Sequence, residues 1–254
     1  MISKAKVKYI RSLELKKHRN QERVFVVEGI KAVEDLLAIM PAKMLIHTSA
    51  WHATRPMPAT EIIEVSDDEM RKVSFLQHPQ GVMAVFPQQS VKADDWLSLP
   101  QSQLILALDG IQDPGNMGTI IRTADWFGIR HIVCSEDTVD VYNPKVVQAT
   151  MGSIARVGIT YTRLDDWLVA LDAEVPVYGT LLDGNDIYAT PLTENGVIIM
   201  GNEGKGISQA LRQRISHKLL IPNYPADSET AESLNVAVAT AITCSEFRRR
   251  MLKR

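Results

Sequence analysis

Apolar positions recur along this chain in two rhythms. In the first ninety residues the runs "RVFVVEG", "KMLIHTS", "EIIEVS" and "GVMAVF" predict strands, each rich in aliphatic side chains. Between them, "IKAVEDLLAI" (30–39) and "DEMRKVSFL" (68–76) space their apolar residues for helices, and "KVKYIRSLELKKHR" (6–19) predicts one basic helix. Further on, "LILALD", "HIVCS", "VGITYT", "PVYGTLL", "VIIMG" and "KLLIP" predict strands, with helical segments between most of them. A long helix closes the chain over 233–254. The polar stretch 86–103, with two prolines, separates the two series. The domains are therefore expected at 1–90 and 104–254, with a linker at 91–103. Alternating helices and apolar strands imply an α/β fold whose second domain has a mainly parallel sheet covered on both faces.

Composition narrows this only a little. The 254 residues are 45% hydrophobic and 23% charged, with a net charge of −2. Residues 1–31, however, hold nine Lys/Arg against three Glu, a local excess of +6 able to attract phosphates. The two cysteines, Cys134 and Cys244, form no CxxC pattern, so neither a disulfide framework nor a structural zinc site is expected. There is no apolar run near the ~20 residues of a membrane span, and "MISKAKVKYIRSL" lacks an apolar signal core. A soluble, cytoplasmic setting is the expectation.

Three stretches carry candidate chemistry. In "LDGIQDPGNMGTIIRTADWFGIRHIV" (108–133) a strand ends at Asp109, a Gly/Pro/Asn loop follows, and Met117, Ile120, Ile121, Ala124 and Phe127 have core spacing on a helix. Asn116 stands where that helix begins and could simply cap it. Arg122 leans back toward the loop of Asn116, because helical side chains tilt toward the N-terminus; a surface ion pair is the plainer alternative. In "GNEGKGIS" the spacing G-x-x-G-x-G fits neither the dinucleotide fingerprint nor the phosphate loop. Glycines there let a ligand approach the backbone, and Glu203 argues against a phosphate in direct contact. In "IPNYPADSETAESLNVAVATAITCSEFRR", Ser233 and Asn235 open a small-residue helix without charge from Val236 to Ser245.

Taken in order, "NMGTIIRTADWFG", "IIMGNEGKGIS" and "IPN…ESLNVAVATAITCSEFRR" resemble the SpoU class, the TrmH-like branch of the SPOUT superfamily, of RNA ribose 2′-O-methyltransferases. "DVYNPKVVQATMGS" (140–153) resembles that family's connecting segment, and "SLELKKHRNQERVFVVEG" with "GVMAV" resembles its N-terminal RNA substrate-binding domain. The link "NYPADSETAE" is longer than is common there and lacks glycine. The resemblance implies a deep trefoil knot in the second domain, an exception to the rule that chains avoid knots. It also implies a homodimer, S-adenosylmethionine as methyl donor, structured RNA (ribosomal before transfer RNA) as substrate, and no metal. On this basis Asn116, Arg122, Glu203, Ser233 and Asn235 are the catalytic candidates. Thr180, Leu181, Gly201, Ile221 and Leu234 are the donor-binding candidates. Lys16, Lys17 and Arg19 of the basic N-terminal helix are the RNA-binding candidates. Arg122 is the central residue; since a guanidinium stays protonated, holding a phosphate and orienting the hydroxyl suits it better than removing a proton. The competing readings are a catalytically inactive RNA-binding protein of the same fold, which the intact set argues against, and a dehydrogenase-like nucleotide domain, which needs other glycine spacing.

Overall fold

A computed structural model of the protein describes residues 2–54, 56–89, 96–225 and 231–251. The chain forms two compact units, Met1–Ser90 with Asp140–Ala155, and Val91–Val139 with Arg156–Arg254. The segment 140–155, expected inside a continuous second domain, thus belongs to the first unit.

In the first unit the strands β1 (Val24–Glu28), β2 (Ala42–Thr48), β3 (Ala59–Val65) and β4 (Val82–Pro87) form a mixed sheet in the order β1-β4-β2-β3. Only β2 and β3 run parallel. Helices α1 (Lys4–Ser12), α2 (Lys16–Glu22), α3 (Ile30–Leu37), α4 (Asp67–Val73) and α6 (Pro144–Thr150) complete it. Strand β1 is buried on both faces, which is why it is apolar at Val24 through Val27 without alternation, whereas β3 at the sheet edge alternates. Ser66 starts α4 with a capping box, its hydroxyl accepting from Glu69 N while the Glu69 carboxylate accepts from Ser66 N.

The single basic helix expected over 6–19 is two helices. The chain turns at Leu13–Leu15, and the turn buries both Leu13 and Arg19. Arg19 donates to the carbonyls of Leu13 (2.9 Å) and Glu14 (2.6 Å) and to Asp140 Oδ2 (2.6 Å). One straight helix would have left that guanidinium outside.

The second unit is a six-stranded sheet of β5 (Leu104–Asp109), β6 (His131–Cys134), β7 (Gly158–Tyr161), β8 (Val177–Asp186), β9 (Gly196–Gly201) and β10 (His217–Leu220), in the order β10-β8-β9-β5-β6-β7. All its pairings are parallel. Helices α7 (Leu164–Ala170) and α8 (Gln209–Arg212) cover one face, over a core of Ile105, Ala107, Val133, Val197 and Ile199. Helices α5 (Pro114–Trp126) and α9 (Val236–Met251) pack against each other. The described part of the expected linker, 96–103, joins this unit's core. Trp96 and Leu99 pack there, and Asn195 Nδ2 donates to the carbonyls of Pro100 and Gln101. Residues 91–95 lie outside the described ones.

From β5 the chain builds outward through β6 and β7, then crosses to the far side and inserts β9 between β8 and β5. The strand order therefore reverses between β5 and β9. In open α/β sheets, ligands bind at the carboxyl ends of strands at such a switch point. There Asp109 and Gly201 stand side by side. The knot implied by the resemblance depends on the threading between β10 and α9, where 226–230 lie outside the described residues. Among the described residues no helix is long and apolar enough to cross a membrane.

Candidate active site

The carboxyl end of β9 leads into a tight hairpin. Asn202 and Gly206 exchange backbone hydrogen bonds of 3.0 and 2.9 Å. A Cβ on Gly201 would lie 2.3 Å from the Gly206 carbonyl carbon, so glycine is required there by the hairpin's own return. Asn202 locks the tip: its side-chain oxygen accepts from Gly204 N and Lys205 N, and its amide donates to Gly110 O at 2.6 Å. The far end is pinned by Ser208 N donating to Asp109 Oδ2 at 2.7 Å. The glycines that read as a ligand cradle serve first to fold this turn.

The hairpin presents Glu203 to the start of α5. Its carboxylate accepts from the backbone N–H of Gln112 and Asp113, both at 3.3 Å, and from the Asn116 amide at 3.0 Å. Asn116 Oδ1 in turn accepts from Asn235 Nδ2 at 2.9 Å. Asn235 Oδ1 accepts from Ala237 N and Val238 N and so caps α9. One chain of hydrogen bonds thus joins all three motifs. Partial burial pushes the Glu203 carboxyl upward, but the Asn116 amide and the backbone donors outweigh it and hold the group below the ordinary carboxylate range. Glu203 is therefore an anion at neutral pH with its oxygens engaged, which suits a latch and not a proton acceptor.

Two capping roles differ from expectation. Asp113, not Asn116, caps α5, its Oδ1 accepting from Asn116 N at 2.7 Å ahead of Pro114. That leaves the Asn116 side chain for Glu203 and Asn235. The last helix starts at Val236, three residues later than expected, so Ser233 and Leu234 precede the cap. Ser233 is exposed, and among the described residues nothing hydrogen-bonds to it. Arg122 is exposed on α5 and has no ion-pair or hydrogen-bond partner among the described residues. The plainer alternative, a surface salt bridge, is not what is seen.

The donor-binding candidates gather around the same edge. Thr180 and Leu181 lie where β8 leaves the ladder: its pairing with β9 stops at Gly179, and with β10 it jumps from Gly179 to Asn185. Their backbone groups are thereby outside both ladders. The Leu181 side chain is buried in the core, so only its backbone can face a ligand. Ile221 follows β10, Gly201 ends β9, and Leu234 is 49% exposed before α9. Of the RNA-binding candidates, Lys16 and Lys17 are exposed on α2, whereas Arg19 is buried to 2% exposure and is withdrawn from any RNA surface. Asp109, Gln112, Asp113 and Asn202 organise the site and went unread in the sequence. The signal available was an acidic residue at a strand end followed by a glycine at positive φ, Gly110. Among the described residues no group of His, Cys, Asp or Glu converges to hold a metal ion.

Comparison with known proteins agrees with this geometry. Residues 103–245 match the model of the SpoU rRNA methylase family, and residues 4–84 match that of an MRM3-like substrate-binding domain. The chain is 33% identical over 247 residues to the 23S rRNA (guanosine(2553)-2′-O)-methyltransferase RlmP of Bacillus subtilis, covering 96% of each chain. Its fold superimposes on a TrmH-family protein from Porphyromonas gingivalis with a TM-score of 0.88 and 42% identity, covering 98% of this chain and 99% of that one. It superimposes on an AdoMet-bound rRNA methyltransferase from Sinorhizobium meliloti with a TM-score of 0.84 and 31% identity, covering 100% and 97%. With the three motifs joined at the switch point of a parallel sheet, and with more than half its length matched by the family model, the chain belongs to the SpoU rRNA methylase family.

Proposed function

We propose that this protein transfers a methyl group from S-adenosylmethionine to a ribose 2′-hydroxyl of ribosomal RNA. The observation that carries the reading is the hydrogen-bonded set Glu203–Asn116–Asn235, with Arg122, exposed and without a partner among the described residues, on the same helix α5 as Asn116. The relatives support the choice of ribosomal RNA, and the AdoMet-bound neighbour supports the donor. The donor supplies an electrophilic methyl on a sulfonium. Thr180, Leu181, Gly201, Ile221 and Leu234 would hold it, through backbone that has left the ladders and through the exposed Leu234 side chain.

The chain's task is then alignment. Arg122 presents a planar, permanently charged fork suited to a phosphate next to the target ribose. Holding that phosphate orients the hydroxyl and offsets the charge that builds on its oxygen. Asn116 is held in one orientation by Glu203 and Asn235, so its position costs little to maintain during the reaction. Ser233, exposed and without a hydrogen-bond partner among the described residues, is left for substrate or donor ahead of α9. Lys16 and Lys17 provide phosphate contacts on the substrate-binding unit.

A homodimer belongs to the same reading. Trp126 on α5 is 85% exposed and Val238 on α9 is 48% exposed, on two helices that already pack together. A second copy that covers these two side chains would bring Arg122 of one chain to the donor site of the other. The test of the function is a ribose-methylation map of total RNA with and without the gene, paired with methyl-labelled donor and purified protein. One ribosomal position should lose its methyl group and be restored in vitro. An unchanged map together with no label transfer would sink the proposal.

A further inference from the structure

Strand β8 leaves the ladder after Gly179 and rejoins β10 only at Asn185. The five residues between, 180–184, form an arch that carries two of the donor-binding candidates, Thr180 and Leu181. The feet of the arch are fixed by packing. The Leu181 side chain is buried in the core, and Gly184 lies so close to β10 that a Cβ there would stand 2.5 Å from the Leu219 carbonyl carbon. Between these anchors Leu182 is 75% exposed and the Asp183 side chain is half-exposed. Asp183 is nevertheless held. Its Oδ1 and Oδ2 accept from Arg212 Nη2 at 2.8 and 3.0 Å, and Oδ2 accepts from Lys218 Nζ at 2.9 Å. Lys218 and Arg212 hold the carboxyl down to about 2, so it is an anion at neutral pH. Neither cation has another ionic partner among the described residues.

The two cations come from different segments. Arg212 ends α8, and its backbone N donates to Ser208 O (2.9 Å), the residue through which the glycine hairpin is pinned to Asp109. Lys218 lies on β10, the strand that leads into Ile221. One carboxylate thus ties together the arch of Thr180 and Leu181, the element that follows the hairpin of Gly201, and the strand that delivers Ile221. These segments supply four of the five donor-binding candidates. An exposed ion pair taken alone contributes little to stability. Its use here is to set the separation of three pieces of backbone before a ligand arrives, which spares the ligand the cost of ordering them.

We propose that Asp183 is a positioning residue for the methyl donor: gripped by Arg212 and Lys218, it holds the 180–184 arch, the glycine hairpin and the end of β10 at the spacing that the donor needs. The inference rests on the methyl-transfer reading above. Asp183 touches no reacting atom in it and acts only through the backbone of its neighbours. Without the carboxylate, Arg212 and Lys218 are like charges drawn to one place with nothing between them, and the arch loses its lateral tie.

The experiment measures the affinity of the full chain for S-adenosylhomocysteine by calorimetry, which needs neither RNA nor turnover. Asp183→Asn should weaken binding about 5- to 20-fold. Asp183→Glu, which keeps the charge within reach of both cations, should recover most of that loss. Arg212→Gln with Lys218→Gln should weaken binding by a similar factor, and adding Asp183→Asn to the pair should cost little more, because the three groups act as one unit. The signs are decisive. Asp183→Asn makes the region more positive and the glutamine pair makes it more negative, so a bare field effect would move affinity in opposite directions. Melting temperature should hardly change in any variant, as for other half-exposed charges. In turnover the loss should fall on the donor KM and not on kcat. Unchanged affinity in Asp183→Asn, opposite shifts in the two sets of variants, or a loss matched by a collapse in melting temperature overturns the inference. If donor binding behaves as expected and no RNA is methylated, the positioning role stands and the choice of reaction falls. A wild-type chain that binds neither S-adenosylhomocysteine nor S-adenosylmethionine sinks both.

Discussion

Arg19 and Arg122 look alike in the sequence, each a cation on a helix with an RNA role to offer. The fold treats them in opposite ways. Arg19 is 2% exposed, paired with Asp140 and bonded to two backbone carbonyls. Its Nε has no hydrogen-bond partner among the described residues, the sign of a buried group that the fold satisfies only in part. Arg122 is exposed and engages nothing among the described residues. A charge buried with partners is already used by the fold, whereas an exposed charge beside a locked polar network remains available for a ligand. Sequence alone could not separate the two, since nothing local to Arg19 announces its partner Asp140.

The sharpest way to break the contrast is at Arg122. Arg122→Ala should lower methyl transfer about 10³-fold, in the range seen when a preorganised charge-stabilising donor is removed. Donor affinity should hold, and melting should move by no more than about 0.5 kcal/mol, as for other surface changes. Arg122→Lys should recover little, because an ammonium cannot reproduce the planar fork. Methylation of rRNA near the wild-type rate by either variant would remove Arg122 from the mechanism.

At Arg19 the expectation reverses: stability should fall and the chemistry should be spared. Arg19→Met leaves Asp140 without its cation and two carbonyls without donors, and should cost about 3 kcal/mol of the first unit's stability. Adding Asp140→Leu should recover much of that loss, because an apolar pair needs no desolvated partner. Thermal melting of the two variants decides it. If Arg19→Met melts like wild type but binds rRNA with a smaller salt dependence, the arginine reaches RNA after all.

What could be read ahead of the structure follows the range of each cause. The strands of both sheets announced themselves because burial on two faces writes continuous apolar runs such as "LILALD" and "GVIIM". Family resemblance brought Asn116, Glu203 and Asn235 together, although they lie 87 and 119 residues apart in their bonded pairs. Local patterning failed wherever a distant partner decides. The break at Leu13–Leu15 exists because Arg19 turns inward to Asp140, 121 residues away. Asp109 and Gln112 were unremarkable until the hairpin of 201–208 returned to them. The membership of 140–155 in the first unit leaves no local mark at all.

Glu28 tests the same contrast within the first unit, at the smallest scale. It is 7% exposed at the end of β1, accepting from the Ser74 hydroxyl and from Phe75 N at 2.7 Å. Burial pushes its carboxyl above the ordinary range, and the bonds from Ser74 and Phe75 only partly offset that. The folded protein therefore holds this proton more tightly than the unfolded chain does. Its contribution to stability is full below the unfolded carboxylate range and is lost as pH rises through the raised folded value. Glu28→Gln keeps an acceptor for Phe75 N and carries no charge at any pH, while the Ser74 hydroxyl can turn to accept from the new amide. The variant should match wild type near pH 4 and exceed it at pH 8 by at most about 1 kcal/mol. The opposite trend holds for Glu203, whose lowered value means its latch loosens only as pH falls below the ordinary carboxylate range. Parallel stability curves for wild type and Glu28→Gln across this range would mean that Glu28 is hydrated in solution, and the division between buried structural charge and exposed functional charge would not extend to it.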